Sequence, residues 1–321
     1  MPQDFLPTAS AQTLHKRAEI YRQVRTFFDT RGFIEVETPL LSADSVMDRH
    51  LHPLQIDRNQ ITGRDRDFGQ SMFFQTSPEF GMKRLLAAGA TSIYQICKAF
   101  RCGEAGEKHN PEFTMLEWYR VGDDMQAGIQ LLCDFTQTIL QSASPQKISY
   151  RDAMLTHANI DPFTSTDDEL QQKAELTGNT VDRDECLNVI LAMEVEPKLG
   201  VDAPTILFDY PASQAALAIT RDEKTHSVAE RFELYINGVE LANGYHELLD
   251  ADELSRRNQT VAQQRLLDGA RPLPAESRLL EAMKYGLPAC SGTALGMDRL
   301  IMLAMGASSI DEVVAFPFDR A

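Results

Sequence analysis

The stretch that decides the fold is FRCGEAGEKHNPEFTMLEWYR, residues 100–120. It closes one apolar run, SIYQICKAFR, and contains a second, EFTMLEWYR, with the polar segment CGEAGEKHNP between them. Both runs have strand character, and the connection is too long for a two-residue turn, so the pair reads as a long-looped hairpin. Side chains alternate along a strand. Phe113, Met115, Glu117 and Tyr119 therefore share one face, and Glu112, Thr114, Leu116, Trp118 and Arg120 the other. An aromatic ring, a carboxylate and a phenol in a row admit two readings. One is a half-buried core face with an edge charge, in which Arg101 of the partner strand pairs with Glu117. The other is a ligand face. Arginine binds phosphate through a planar fork of donors. Phe113 offers a flat face to a purine, where stacking contributes about 1–3 kcal/mol per base. Carboxylates and a tyrosine hydroxyl hold an ammonium group. On that reading one hairpin takes ATP and a small cationic amine side by side.

Working outward, Leu14, Ala18, Tyr21, Val24 and Phe28 recur at three- and four-residue steps, which predicts an amphipathic helix over 13–30. Gly32 ends it, and FIEVETP follows as a strand stopped by Pro39. TSPEFGMKRLLAAGA predicts a second helix, with Ser77 as N-cap, Pro78 at the first helical position and Gly89 at the exit. Residues 145–200 read as helical and acidic. TILFDYP and RFELYINGVELANGYHEL read as strands, 251–286 as helices, and CSGTALG as a strand running into the helix MDRLIMLAMG. Strands far apart in sequence with helices between them predict one α+β domain over 1–321, built on a large, mainly antiparallel sheet flanked by helices.

The bulk numbers restrict the partners. With 31 Lys+Arg against 47 Asp+Glu, the 321-residue chain carries a formal charge of -16. That disfavours non-specific binding to nucleic acid, which needs a basic footprint. The five cysteines, Cys97, Cys102, Cys133, Cys186 and Cys290, form no CxxC pair, so neither a disulfide framework nor a cysteine zinc site is expected and a reducing compartment fits. MPQDFLPTAS lacks a basic region followed by an apolar run, and LIMLAMGA is far too short to span a bilayer. The expectation is a cytoplasmic protein. His50 and His52 read as a loop pair without a third metal ligand, His246 as structural, Cys102 as a loop residue and DRDECLNVILAMEVEP as a solvated helix.

Two distant stretches favour the ligand reading. YINGVELANGYHELLD holds Glu240 and Glu247, with Glu233 seven residues before Glu240. Carboxylates are natural ligands for Mg²⁺, which also takes phosphate oxygens, although a spaced acidic strand is also a common solvated face. SGTALGMDRL puts small residues ahead of a helix start with Arg299 close behind. Small residues let a ligand approach the backbone, and a helix N-terminus favours anions; an ordinary strand-to-helix turn has the same outline.

Taken together, these stretches resemble the class II aminoacyl-tRNA synthetases, lysyl-tRNA synthetase in particular. RGFIEVETPLL looks like the family's first motif, centred on Pro39, FRCGEAGEKHNPEFTMLEWY like its second and GTALGMDRL like its third. The resemblance runs over nearly the whole chain from about Leu14, with TSPE and ELANGYHEL adding to it. It implies a class II catalytic core, a homodimer, ATP and Mg²⁺. Residue by residue, it implies that Arg101 contacts the α-phosphate, that Phe113 and Arg299 sandwich the adenine, and that Cys102, Gly103, Glu104, His109, Asn110, Leu241 and Gly296 complete the ATP site. Glu233 and Glu240 would hold Mg²⁺. Glu79 would meet the amino group near the reacting carboxylate, with Ser77 and Pro78 lining the substrate site. Glu117, Tyr119 and Glu247, with Asn243 close by, would surround the distal ammonium of a lysine-like substrate. Arg101, Glu240 and Arg299 are the expected catalytic groups.

The synthetase carries an anticodon-binding barrel before its core, and here the core begins within about fifteen residues of Met1. With the acidic charge, this points away from tRNA. The length and HNPEFTMLEWYR resemble instead the shortened relatives that ligate (R)-β-lysine to elongation factor P. The expected reaction is ATP-dependent activation of lysine or β-lysine and transfer to a protein lysine, with elongation factor P as acceptor. The alternatives are a shortened synthetase-like enzyme acylating tRNA or a small molecule, and a catalytically silent nucleotide-binding regulator. Two departures matter. Cys102 and Gly103 stand where the synthetase has Asn-Glu, which leaves Glu104 as the candidate replacement. Ala294 stands where it has glycine; a methyl there would crowd an α-amino group and favour an amine shifted by one carbon.

Overall fold

The computed structural model describes residues 5–62, 71–177 and 182–321. Chain contacts divide it into two compact units: Met1–Gly122, Leu248–Ala289 and Ala294–Ala321 form the first, and Asp123–Glu247 with Cys290–Thr293 the second.

The first unit opens with α1 (Ala11–Asp29), capped by the Ser10 hydroxyl, which accepts the Thr13 N–H at 3.1 Å. Its buried residues are Thr13, Ile20, Val24, Phe27 and Phe28, whereas Leu14 is 39% exposed. The expected stripe through Leu14 and Ala18 is therefore rotated. Phe28 fixes the rotation by stacking on Tyr94 with ring centroids 4.6 Å apart, and Arg17 does so by pairing with Asp298 at 2.7 Å. Gly32, at φ 77°, turns the chain into β1 (Ile34–Glu35). Next come β2 (Leu41–Ser42), β3 (Gln55–Asp57), α2 (Arg58–Thr62) and β4 (Ser71–Phe74); the three strands make a small sheet in the order β2-β4-β3.

Helix α3 (Glu79–Ala87) begins with Pro78 in the capping place. The Ser77 hydroxyl still accepts the Glu79 N–H, at 3.1 Å, so the predicted cap lies one residue outside it. Strands β5 (Ser92–Phe100) and β6 (Glu112–Val121) form the expected antiparallel hairpin, and β1 pairs parallel to β5. The register sets Gln95 opposite Glu117 and ends at Phe100 opposite Glu112. Arg101 thus stands beyond the paired region, at the far end from Glu117, and the Arg101–Glu117 pair considered from the sequence does not form.

The second unit runs through α4 (Met125–Leu140), β7 (Gln146–Ser149), α5 (Tyr150–Ala158), α6 (Asp167–Ala174), α7 (Arg183–Ile190), β8 (Thr205–Pro211), β9 (Thr220–Asp222), β10 (Ser227–Ile236) and β11 (Val239–His246). Its strands lie in the order β11-β10-β8-β7, with β9 also on β10. The β10–β11 turn is Asn237–Gly238, both left-handed at φ 51° and 70°, as a tight hairpin requires. The acidic tract is not a solvated helix: Cys186, Leu187, Ile190, Leu191 and Val195 are buried in one core with Tyr150, Tyr210 and Tyr235. Its acidic residues hid an apolar stripe at helical spacing.

The chain then adds α8 (Ala251–Leu267) and α9 (Arg278–Gly286) to the first unit. Strand β12 (Cys290–Gly296) runs into α10 (Met297–Met305), as expected. Among the described residues nine strands form one mixed sheet flanked by helices, an α+β architecture in which β1–β5 and β7–β8 are parallel pairs and β5–β6, β8–β10, β9–β10 and β10–β11 antiparallel ones. No helix among the described residues is long and apolar enough to cross a membrane.

Candidate active site

In the first unit the side chains expected to hold an amine meet where β6 passes the start of α3. Glu117 is 1% exposed. One of its oxygens accepts the Tyr119 hydroxyl at 2.5 Å and the other the Ser77 hydroxyl at 2.7 Å. Burial, and then the nearby Glu79 carboxylate, push the Glu117 carboxyl up to about 7, against the pull of those hydroxyls and of Lys83. Glu79, also buried, pairs with Lys83 one helical turn later, at 2.5 Å. The Lys83 ammonium stands 6.0 Å from the centre of the Tyr119 ring. Sequence reasoning missed Lys83. Its only signal was the i,i+4 spacing from Glu79, which ordinarily marks an exposed helical ion pair.

The loop over 101–111 gathers the expected nucleotide residues. The Arg101 guanidinium lies over the Phe113 ring, 5.0 Å from its centre, and 3.8 Å from Glu104. Cys102 donates its N–H to the His52 carbonyl at 2.7 Å, and Gly103 turns through φ 81°. That left-handed step returns Glu104 toward Arg101. Gly106 and His109 exchange backbone hydrogen bonds at the loop tip, 3.0 and 3.1 Å. Arg299, on α10, donates to His109 Nε2 at 2.5 Å and to the Lys108 carbonyl at 3.2 Å. Burial and then the Arg299 charge lower the pKa of His109. Phe113 and Arg299, expected to face one another across adenine, thus each have another neighbour here. Asn110 spans the loop base: its amide donates to the Glu112 carbonyl at 2.6 Å and accepts the Phe318 N–H at 2.9 Å. Ala294 is half-buried at the end of β12, and Gly296 is the N-cap of α10.

In the second unit, Glu233 and Glu240 lie on the β10–β11 hairpin. Glu233 accepts the hydroxyls of Tyr210 and Tyr235 on one oxygen and the Arg231 guanidinium on the other. Three donors leave that carboxylate little capacity for a cation. Glu240, opposite Tyr235, is half-buried. A metal bound here would draw on Glu240 as its protein carboxylate. That fits Mg²⁺, which keeps several waters and binds through one or two carboxylates plus phosphates. Leu241 is buried, Asn243 is half-buried opposite Glu233, and Glu247 is 1% exposed, its N–H donating to the Cys290 carbonyl at 3.0 Å. His246 is bonded to Glu230 at 2.6 Å, a structural contact.

The chain matches the family model described as tRNA synthetases class II (D, K and N) over residues 4–320. It is 45% identical to an elongation factor P--(R)-beta-lysine ligase of Yersinia enterocolitica, with 98% of each chain covered. Proteins of the same name from Salmonella typhi and Salmonella paratyphi B are each 44% identical over 98% of both chains. An α+β sheet, a strand–loop–strand hairpin carrying Arg101, Phe113 and Glu117, and a match from one end of the sequence to the other lead to one conclusion: this chain belongs to the class II tRNA synthetase family.

Proposed function

We propose that this chain is a cytoplasmic ATP-dependent ligase that activates (R)-β-lysine as an acyl-adenylate and transfers it to a lysine side chain of elongation factor P. The observation that carries the reading is the buried Glu117 carboxylate, held by Ser77 and Tyr119 in a chain 45% identical to ligases of that name. A buried carboxylate with two fixed hydroxyl partners and room for a third is the chemistry that receives an ammonium group.

The reaction needs no protein nucleophile. The amino-acid carboxylate attacks the α-phosphorus of ATP, and pyrophosphate leaves. The acceptor lysine nitrogen then attacks the acyl carbon, an amide forms, and AMP leaves with the bonding pair. Arg101 is assigned to the α-phosphate, where a fixed cation stabilises developing charge. Phe113 stacks the adenine, with Arg299 above it; Cys102, Gly103, Glu104, His109, Asn110, Leu241 and Gly296 complete the nucleotide contacts. Glu79 takes the amino group near the reacting carboxylate, with Ser77 and Pro78 lining the site, and Glu117, Tyr119 and Glu247, with Asn243 close by, take the distal ammonium. Ala294 selects the β-amine by crowding the α-position. Glu240 would hold Mg²⁺, whose charge would neutralise the phosphates. One family model over 4–320 supports a single catalytic domain, and the motif around Pro39 supports a homodimer.

ATP–pyrophosphate exchange with β-lysine, with α-lysine and without an amino acid tests the proposal. Exchange with β-lysine, followed by labelled transfer to elongation factor P and not to tRNA, is the expected result. Transfer to tRNA alone would make the chain a shortened synthetase, and absence of exchange with either isomer would make it a silent binder. Ala294→Gly should raise exchange with α-lysine.

A further inference from the structure

Lys83 is 1% exposed, and lysine is almost never fully buried unless it is paired. Its partner is Glu79 at 2.5 Å, on the same turn-to-turn face of α3. The groups that act on Glu117 are Glu79 and Lys83 from α3, Tyr119 on its own strand and the Ser77 hydroxyl, and across the hairpin Cys97 of β5 feels the Glu117 charge in turn. Two acidic side chains and one basic one are thus packed together out of water. The Glu79 charge raises the pKa of Glu117, and the Lys83 cation lowers it.

We propose that Lys83 is a positioning residue that sets the charge of the amine site: by neutralising Glu79 it leaves Glu117 as the negative charge presented to a substrate ammonium. This rests on the reading above that the site binds an amine. An ion pair that only anchored the first turns of α3 would hold the helix equally well whatever the ionisation of Glu117. Lys83 does more because it lies within the field of both carboxylates. Without it, Glu79 and Glu117 share a dry pocket uncompensated, and Glu117 keeps its proton near neutral pH. A protonated carboxyl cannot balance an ammonium ion.

The test compares wild type with Lys83→Met, Lys83→Arg and Glu79→Gln from about pH 6 to about pH 9, in two measurements. The first is kcat/KM for β-lysine in pyrophosphate exchange. Lys83→Met should move its acid limb upward by about one pH unit, a loss of roughly fivefold at neutral pH that approaches tenfold on the acid side, while KM for ATP stays put. Lys83→Arg should keep the wild-type profile. Glu79→Gln, which leaves Lys83 facing Glu117 alone, should move the limb downward, and this arm stands even if Lys83→Met does not fold. The second measurement is the thermal midpoint without ligand. Lys83→Met should lose more stability than wild type as pH rises across that range, because ionising Glu117 has become harder. Profiles that fall by the same factor at every pH, with the limb unmoved along the pH axis, would reduce Lys83 to a helix anchor and overturn the proposal, as would tighter amine binding in Lys83→Met. If wild type shows no exchange with any amino acid, the functional reading fails, and the ligand-free profiles still decide the role of Lys83.

Discussion

Two antiparallel hairpins carry buried glutamates, and the two glutamates have opposite chemical standing. On β6, Glu117 accepts two neutral hydroxyls, from Ser77 and Tyr119, and among the described residues no guanidinium is bound to it. On β10, Glu233 accepts two tyrosine hydroxyls and is also bound by Arg231. The first is a charge awaiting a partner and the second a charge already matched. The connections differ in the same sense. The β10–β11 turn is the two residues Asn237–Gly238, which serve register. The β5–β6 connection runs over 101–111 and presents Arg101, Glu104 and His109. Residue type and strand position do not distinguish these two carboxylates; the donors already in place do.

The hardest test of this contrast is Glu233→Gln. It leaves the half-buried Arg231 guanidinium without its counter-charge, and breaking a buried pair on one side costs about 3–5 kcal/mol. Urea midpoints should fall accordingly, while the Mg²⁺ dependence of pyrophosphate exchange stays as in wild type. A raised Mg²⁺ requirement would break the comparison and return Glu233 to the metal.

Glu117→Gln addresses the other half. With the folded-state pKa raised from 4.5 to about 7, the ionised carboxylate opposes folding, so Glu117 costs the ligand-free protein stability increasingly as pH rises through that window. Removing the charge should flatten the pH dependence of Tm between those values and raise Tm above neutrality. It should also weaken β-lysine binding by about tenfold or more, the order of one pKa unit or greater. In wild type the same titration predicts that β-lysine KM rises as pH falls below about 7, with ATP KM unaffected. A steeper loss of Tm with pH in the variant would mean that Glu117 is matched after all.

The smallest effect is expected at Gly238. An added Cβ would stand 3.1 Å from Pro197 Cα at φ 70°, so Gly238→Ala should lower stability by about 1 kcal/mol without altering any KM. A change in KM would show that the tight turn, like the long loop, communicates with a ligand.

Much of this was legible in the sequence because its signals are local. The hairpin faces of β6 and the β12–α10 junction follow from alternation and a helix start. The misreadings arose where distant residues decide. The rotation of α1 is set by Tyr94 and Asp298, which lie far along the chain. The tract 182–197 looked solvated because its acids are numerous, yet Leu187, Ile190 and Val195 face a core supplied by Tyr150 and Tyr210. Lys83 resembled a surface lysine until α3 was packed beside β6, and Arg231 and Tyr210, which fill Glu233, carried no motif.

The 101–111 loop is tied down at two points by the end of the chain: Phe318 N–H on the Asn110 side chain and Ile310 N–H on the Glu107 carbonyl, at 2.9 and 2.8 Å. Long loops ordinarily surrender conformational freedom when a ligand arrives, and affinity drops by that amount. Here Ile310 and Phe318 restrain the loop within the fold itself, so on the proposed reading a nucleotide would meet a surface already shaped.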